Sequence, residues 1–262
     1  MPCLCNHLQQ LSSDTFDWID AQPEVKEESI TDWFLYELSK RCKNVAYKSF
    51  TRHEEAKHTG ADWDWIFVFT DGAVRLRVQA KKLFPSTDNY PGLARTNRYG
   101  QQITKLINSA IATSAYPIYA FYSSATAANG CGGGASGNKN GTYLCGAHLV
   151  DAQFVKTRAS VSDSDVIAKC YPIPCVACCP MSLIDSAESL INQIHHYFPI
   201  SDDSLRSDNR LLGFLNKIPA FASSVLDNEL KFPEWWEQEF VREFSEVNAI
   251  VIIDNRTRKT EK

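Results

Sequence analysis

The sequence predicts a mixed α/β fold in which a central sheet is flanked by helices and extended by C-terminal additions. Three observations predict it: helical spacing of apolar residues from Glu27 to Cys42, two β-rich runs separated by Asp71-Gly72, and a helical stretch that leads into an apolar strand at Pro117 to Tyr122.

Taken in order, residues 1–26 lack clear periodicity and contain Pro23, so they read as a loosely packed N-terminal arm. The core spans residues 27–125. Its first helix places Ile30, Trp33, Phe34 and Leu38 at three- and four-residue steps, with Glu27, Glu28 and Asp32 near the start, where the helix dipole favours anions. A strand at Asn44 to Thr51 precedes a polar loop, then come the β-rich runs Asp62 to Phe69 and Ala73 to Leu83. A second helix from about Tyr99 to Thr113 leads to the strand ending at Tyr122. Residues 126–142 form a flexible loop, because the tract NGCGGGASGNKNG is too rich in glycine to order itself. Residues 143–255 read as the C-terminal part of the same domain: a strand with a turn at Thr142 to Lys156, helices at Ser182 to Phe198 and Trp235 to Phe244, and a strand at Ala249 to Ile253. Residues 256–262 (RTRKTEK) read as a disordered tail.

With 262 residues and 44% hydrophobic content, the chain can bury one sizeable core. Its net charge is 27 − 31 = −4, so no chain-wide positive field recruits a polyanion. Between Ala73 and Lys105, however, seven basic residues face Asp88 alone, a local balance of 7 − 1 = +6 and a candidate phosphate-facing surface. No stretch approaches the roughly 18 apolar residues of a membrane span, and no leader pattern is present. Nine irregularly placed cysteines do not resemble a small secreted disulfide framework. A cytoplasmic location with reduced thiols is expected.

Asp-Gly between β-rich runs is a strong two-residue turn signal. If Asp71-Gly72 is that turn, Trp63 faces Ala80, Trp65 faces Val78, Phe67 faces Leu76 and Phe69 faces Val74, an entirely apolar face. The other face then pairs Asp62 with Lys81, Asp64 with Gln79, Ile66 with Arg77 and Val68 with Arg75. Two same-face carboxylates about 6 to 7 Å apart repel by roughly 2 to 3 kcal/mol at an effective dielectric near 20, which a cation would relieve. Hard oxygen ligands suit Mg²⁺, with Mn²⁺ as a substitute. A lysine beside the ion can orient water and offset charge on phosphorus. The plainer alternative is a solvated strand end with an Asp62 to Lys81 surface pair worth under about 1 kcal/mol.

Gly60-Ala61-Asp62 at one strand start and Val78-Gln79-Ala80-Lys81 at the end of its neighbour resemble the PD-(D/E)XK nuclease superfamily. The nearest variant is that of Mrr-type restriction endonucleases, in which Q-x-K replaces E-x-K. The resemblance covers about Glu27 to Tyr122, and the C-terminal half resembles an uncharacterised bacterial group of such proteins. It implies a restriction endonuclease-like core (α-β-β-β-α-β) and Mg²⁺-dependent hydrolysis of DNA, in restriction or antiviral defence. The implied ligands are Asp62, the Gln79 side chain and the Ala80 carbonyl, with Lys81 as catalytic lysine and Glu28, in preference to Glu27, from the first helix. No proline precedes Asp62, and the neutral Gln79 weakens the site, which leaves Asp64 as a compensating ligand. DNA is the implied partner, with a homodimer or a defence-system partner protein left open.

Arg75, Arg77, Lys82, Arg95 and Arg98 are candidate phosphate contacts, and Gln101, ahead of Gln102, is the candidate to reach the scissile phosphate from the second helix. Each is otherwise an ordinary solvated side chain. Cys145 and His148 with Cys175 and Cys178 have zinc-like spacing, but apolar neighbours make buried structural thiols the better reading. Two other classes therefore stand beside the nuclease: a catalytically inactive nuclease-fold module that binds nucleic acid or protein, for which Gln79 is the main support, and a zinc-stapled interaction domain.

Overall fold

The computed structural model describes residues 2–50, 60–84, 90, 96–97, 100–124, 145–157, 170–177, 184–198, 212–240, 242–244 and 247–256. Its strands are β1 (Val45–Ser49), β2 (Trp63–Phe69), β3 (Gly72–Lys82), β4 (Thr96–Asn97), β5 (Gly100–Gln101), β6 (Tyr116–Tyr122), β7 (Ala147–Asp151), β8 (Tyr171–Pro172), β9 (Phe214–Leu215) and β10 (Ala249–Asp254). The helices are α1 (Pro2–Ala21), α2 (Glu27–Arg41), α3 (Gln102–Ala112), α4 (Ala152–Lys156), α5 (Ala187–Tyr197), α6 (Ala220–Asp227) and α7 (Trp236–Phe240).

An α/β architecture results, with a mixed central sheet of eight strands flanked by helices. The main path runs β1-β10-β2-β3-β6-β7-β8, with β9 pairing β3 and β4-β5 as a separate ribbon. Strand β10 is parallel to β2, and β3 is parallel to β6. The last strand of the chain thus sits between the first two strands of the core. Strands β2, β3 and β6 are buried along their whole length, as covered parallel pairings require. On one face Trp63, Trp65, Phe67 and Phe69 join Val74, Leu76, Val78 and Ala80 in a cluster with α1, α2 and α5. The opposite face packs Ile66, Val68, Tyr119 and Phe121 against α3, α4 and α6.

Two expectations need correction. The N-terminal arm is in fact a helix of 20 residues, whose Leu4, Leu8, Leu11 and Ile19 lie in the core. Buried Ser12 and Thr15 interrupt that apolar stripe and hide it: Thr15 Oγ1 donates back to the Leu11 carbonyl at 2.7 Å, and Ser12 Oγ accepts from the Ala147 N–H at 3.2 Å. The hairpin is the second. Trp63 pairs with Val78, Asp64 with Arg77 and Phe69 with Gly72, so the reversal occupies Thr70-Asp71 and the register moves by two residues. Asp71 also caps α5 from within the turn, accepting from the Ala187 N–H at 2.9 Å. Gly72 takes φ +151° against β9, where an added Cβ would lie 2.3 Å from the Leu215 oxygen. Because side chains alternate with a period of two, an even shift leaves both faces with the same members.

Candidate active site at the Asp62 strand end

Asp62 stands just before β2, pinned through its backbone. Its N–H donates to the Val78 carbonyl at 2.8 Å, and its carbonyl accepts from Asn248 at 2.8 Å and Ala249 at 3.1 Å. The corrected register sets it opposite Gln79 rather than Lys81. Its Oδ2 accepts from Gln79 Nε2 at 2.5 Å and from the Ala80 N–H at 2.7 Å. Gln79 Nε2 also donates to the Ala80 carbonyl at 3.0 Å, and Gln79 Oε1 accepts from Gln102 Nε2 at 3.0 Å. Helix α3 reaches this close because Gly60 has no side chain: at φ +72° an added Cβ would fall 2.4 Å from the Gln102 oxygen.

Lys81 lies one step further along β3, where Nζ donates to Glu27 Oε1 at 3.1 Å and the Lys82 N–H donates to Glu27 Oε2 at 2.8 Å. Glu27, not Glu28, therefore reaches Lys81, because it continues the buried stripe of Ile30, Phe34 and Leu38 toward the sheet. Glu28 is exposed, although its charge still acts on Asp62. Burial, chiefly, pushes the Asp62 carboxyl from its usual 3.8 up to about 7; Lys81 and the Ala80 N–H oppose that, and Glu27 and Glu28 add to it. Burial likewise raises Glu27 against the opposing pull of Lys81. The site is an acidic cluster short of positive charge.

Asp64 is not part of it. Fully buried, it binds Arg75 Nε at 2.9 Å and Arg77 Nε at 2.9 Å, and the two guanidinia outweigh burial and hold its carboxyl below the usual range. Arg75 and Arg77 are consequently no DNA contacts: both are buried, they reach the Thr113 and Ser109 carbonyls at the end of α3, and Arg75 lies over Phe221 and Phe244. Lys82 is also buried, its ammonium bonded to the Pro23 carbonyl. The basic stretch thus spends these three charges inside the molecule. Arg95 and Arg98 lie outside the described residues. Gln101 is exposed ahead of α3 and accepts from Thr104 at 3.4 Å; its neighbour Gln102 is the glutamine that enters the site.

Cys145, Cys170, Cys175 and His148 are buried, and burial raises the Cys145 thiol to about 11 and lowers His148 to about 4. Burial among apolar neighbours fits the structural-thiol reading of Cys145. Cys178 lies outside the described residues, as does the glycine-rich tract of residues 126–142. Cys5 is disulfide-bonded, in contrast to the expected reduced state. Arg256, expected in a disordered tail, bonds Asp254 at 2.8 Å, and the residues after it are outside the description.

Sequence reasoning missed Tyr119, and it ranked Gln102 behind Gln101 and Glu27 behind Glu28. The helical stripe of α2 carried the signal for Glu27, whereas the register of β6 against β3, which sets Tyr119 beside Gln79, has no local signature. Among the described residues, no group of three or more His, Cys, Asp or Glu side chains is placed to hold a metal ion. A cation at Asp62 would therefore draw on the Ala80 carbonyl and on the Gln79 amide turned over, because its nitrogen rather than its oxygen faces both groups. That all-oxygen donor set beside under-compensated carboxylates suits a hard divalent ion. Residues 4–259 match a family of unknown function (DUF6615), and the chain belongs to that family. No curated protein and no solved structure matches it. No helix among the described residues is long and apolar enough to cross a membrane.

Proposed function

We propose, for a chain whose family carries no assigned activity, Mg²⁺-dependent hydrolysis of nucleic-acid phosphodiester bonds, with DNA as the first substrate to try. One observation carries the reading: Asp62, Gln79, the Ala80 carbonyl and Lys81 gather at one buried strand end where the single ammonium faces both Asp62 and Glu27. The PD-(D/E)XK resemblance is supported further by the succession α2, β1, β2, β3, α3, β6 with β6 parallel to β3, while β10 between β1 and β2 is an addition to that order. A role in restriction or antiviral defence rests on the resemblance alone.

Asp62, Gln79 Oε1 and the Ala80 carbonyl would hold Mg²⁺, or Mn²⁺ in its place. When bound, such an ion offsets charge on the phosphate and makes its water a better nucleophile. The chain supplies the rest. Asp62 releases its proton near neutral pH, so the carboxylate is available as a ligand where the enzyme works. Lys81, held by Glu27 in a largely closed site, orients the attacking water and offsets charge developing on phosphorus. Water adds to phosphorus and the bond to the 3′ oxygen breaks. Gln102 fixes the Gln79 amide, and as an amide itself it can donate to or accept from either orientation.

A second reading has one observation in its favour. Gln79 Nε2 and the Ala80 N–H already satisfy Asp62 Oδ2, as in a nuclease-fold module that binds without cleaving. Incubating single-stranded DNA, double-stranded DNA and RNA with Mg²⁺, Mn²⁺ or EDTA, beside Lys81→Ala, separates the two. Cleavage that requires the ion and Lys81 supports the hydrolase; intact substrate under every condition supports the silent module.

A further inference from the structure

Among the described residues, four buried side chains have polar atoms without a hydrogen-bond partner: Trp63, Trp65, Tyr119 and His148. The two tryptophans belong to the apolar face opposite the site. His148 pairs with Phe121, two strands beyond Lys81. Tyr119 is placed differently. The parallel register sets it beside Gln79, whose amide holds Asp62, so phenol, amide and acid form one row across three neighbouring strands. Its ring stacks on Phe121 at 5.4 Å within the cluster on the site face. Burial, and then the charges of Asp62 and Glu27, keep the phenol protonated, so it has a hydrogen to donate. A dry donor left without an acceptor is destabilising, and one oxygen of water between phenol and acid would remove that cost.

We propose that Tyr119 is a further positioning residue: its hydroxyl donates to a water molecule held beside Asp62, and, on the hydrolase reading, that water is the one that attacks phosphorus. The first half stands without the hydrolase reading and the second half rests on it.

Tyr119→Phe keeps the ring and removes only the donor. The variant is expected to melt about 2–4 °C below wild type. Its Mn²⁺ affinity by calorimetry should be roughly tenfold weaker, and its kcat on a phosphodiester substrate about tenfold lower at unchanged KM. A variant that melts above wild type, with Mn²⁺ affinity and kcat unchanged, overturns the proposal, because it shows a dry, idle hydroxyl. If wild type neither binds Mn²⁺ nor cleaves, the hydrolase reading fails, and the direction of the melting shift still decides whether the phenol holds water. Should the variant fail to fold, a crystal structure of wild type decides: an ordered water within about 3.2 Å of both Tyr119 Oη and Asp62 supports the assignment, and a dry gap refutes it.

Discussion

Asp62 and Asp64 are two residues apart at the start of one strand, yet their surroundings drive them in opposite directions. Asp64 has two guanidinia, no solvent and a depressed pKa, whereas Asp62 has an amide, a backbone N–H and an ammonium shared with Glu27, and burial raises its pKa to about 7. Environments that push paired carboxylates apart separate structural from chemical roles. Asp64 ties β2 to β3 and, through its arginines, to the end of α3. Among the described residues, the Asp62 carboxyl has no guanidinium and only two hydrogen bonds, both on one oxygen.

The largest effect should fall on stability at Asp64. Asp64→Ala leaves two guanidinia buried without their anion and is expected to lose about 3–5 kcal/mol in urea denaturation. A loss below about 1 kcal/mol would mean that the arginines find other partners and that the contrast is shallower than drawn. Next come the activity variants. Lys81→Ala and Asp62→Asn should each lose roughly 10²–10⁴-fold in ion-dependent cleavage while melting no lower than wild type. Equal losses of folding and activity would make Asp62 a second Asp64. Glu27→Gln frees Lys81 from its anchor and should cost about tenfold in kcat, read as a kcat change with KM retained.

The smallest effect is the pH dependence. Asp62 ionises near 3.8 in the unfolded chain but only near 7 when folded, so its ionisation favours unfolding. Stability of the ion-free protein should fall as pH rises from about 4 to 7, and the raised Glu27 adds to that trend. Asp64 acts with the opposite sign: its depressed pKa stabilises the fold above pH 3.8, and this is lost as the pH drops below that value. Thermal melts across pH 4 to 7 should therefore show a decline that Asp62→Asn reduces by a few degrees. An unchanged slope in that variant would place the decline elsewhere.

The legible part of the fold was the part that local period encodes. The faces of β2 and β3, the helix beginning at Glu27 and the strand at Ala249 all follow from spacing. The register was not legible, because a shift of two residues preserves every face, and nothing local marks Asp71 as the second rather than the first residue of the turn. Asp64 read as a ligand because Arg75 and Arg77 look like surface charges in the bare sequence; the packing of Arg75 against Phe221 and Phe244 and the burial of Arg77 are tertiary facts. Helix α1 was hidden by Ser12 and Thr15, polar residues that belong to its buried stripe. At the site, Asp62, Gln79, Ala80 and Lys81 were legible as a motif. Gln102 was legible only as second to Gln101, and Tyr119 not at all, since each arrives from a separate element.

The central claim is that Asp62 awaits a divalent ion and Asp64 does not. Calorimetric titration of Mn²⁺ into wild type and Asp62→Asn at pH 7.5 tests it most directly. One ion per wild-type chain and no binding by the variant is the expected result; no binding by either protein, or equal binding by both, would contradict it.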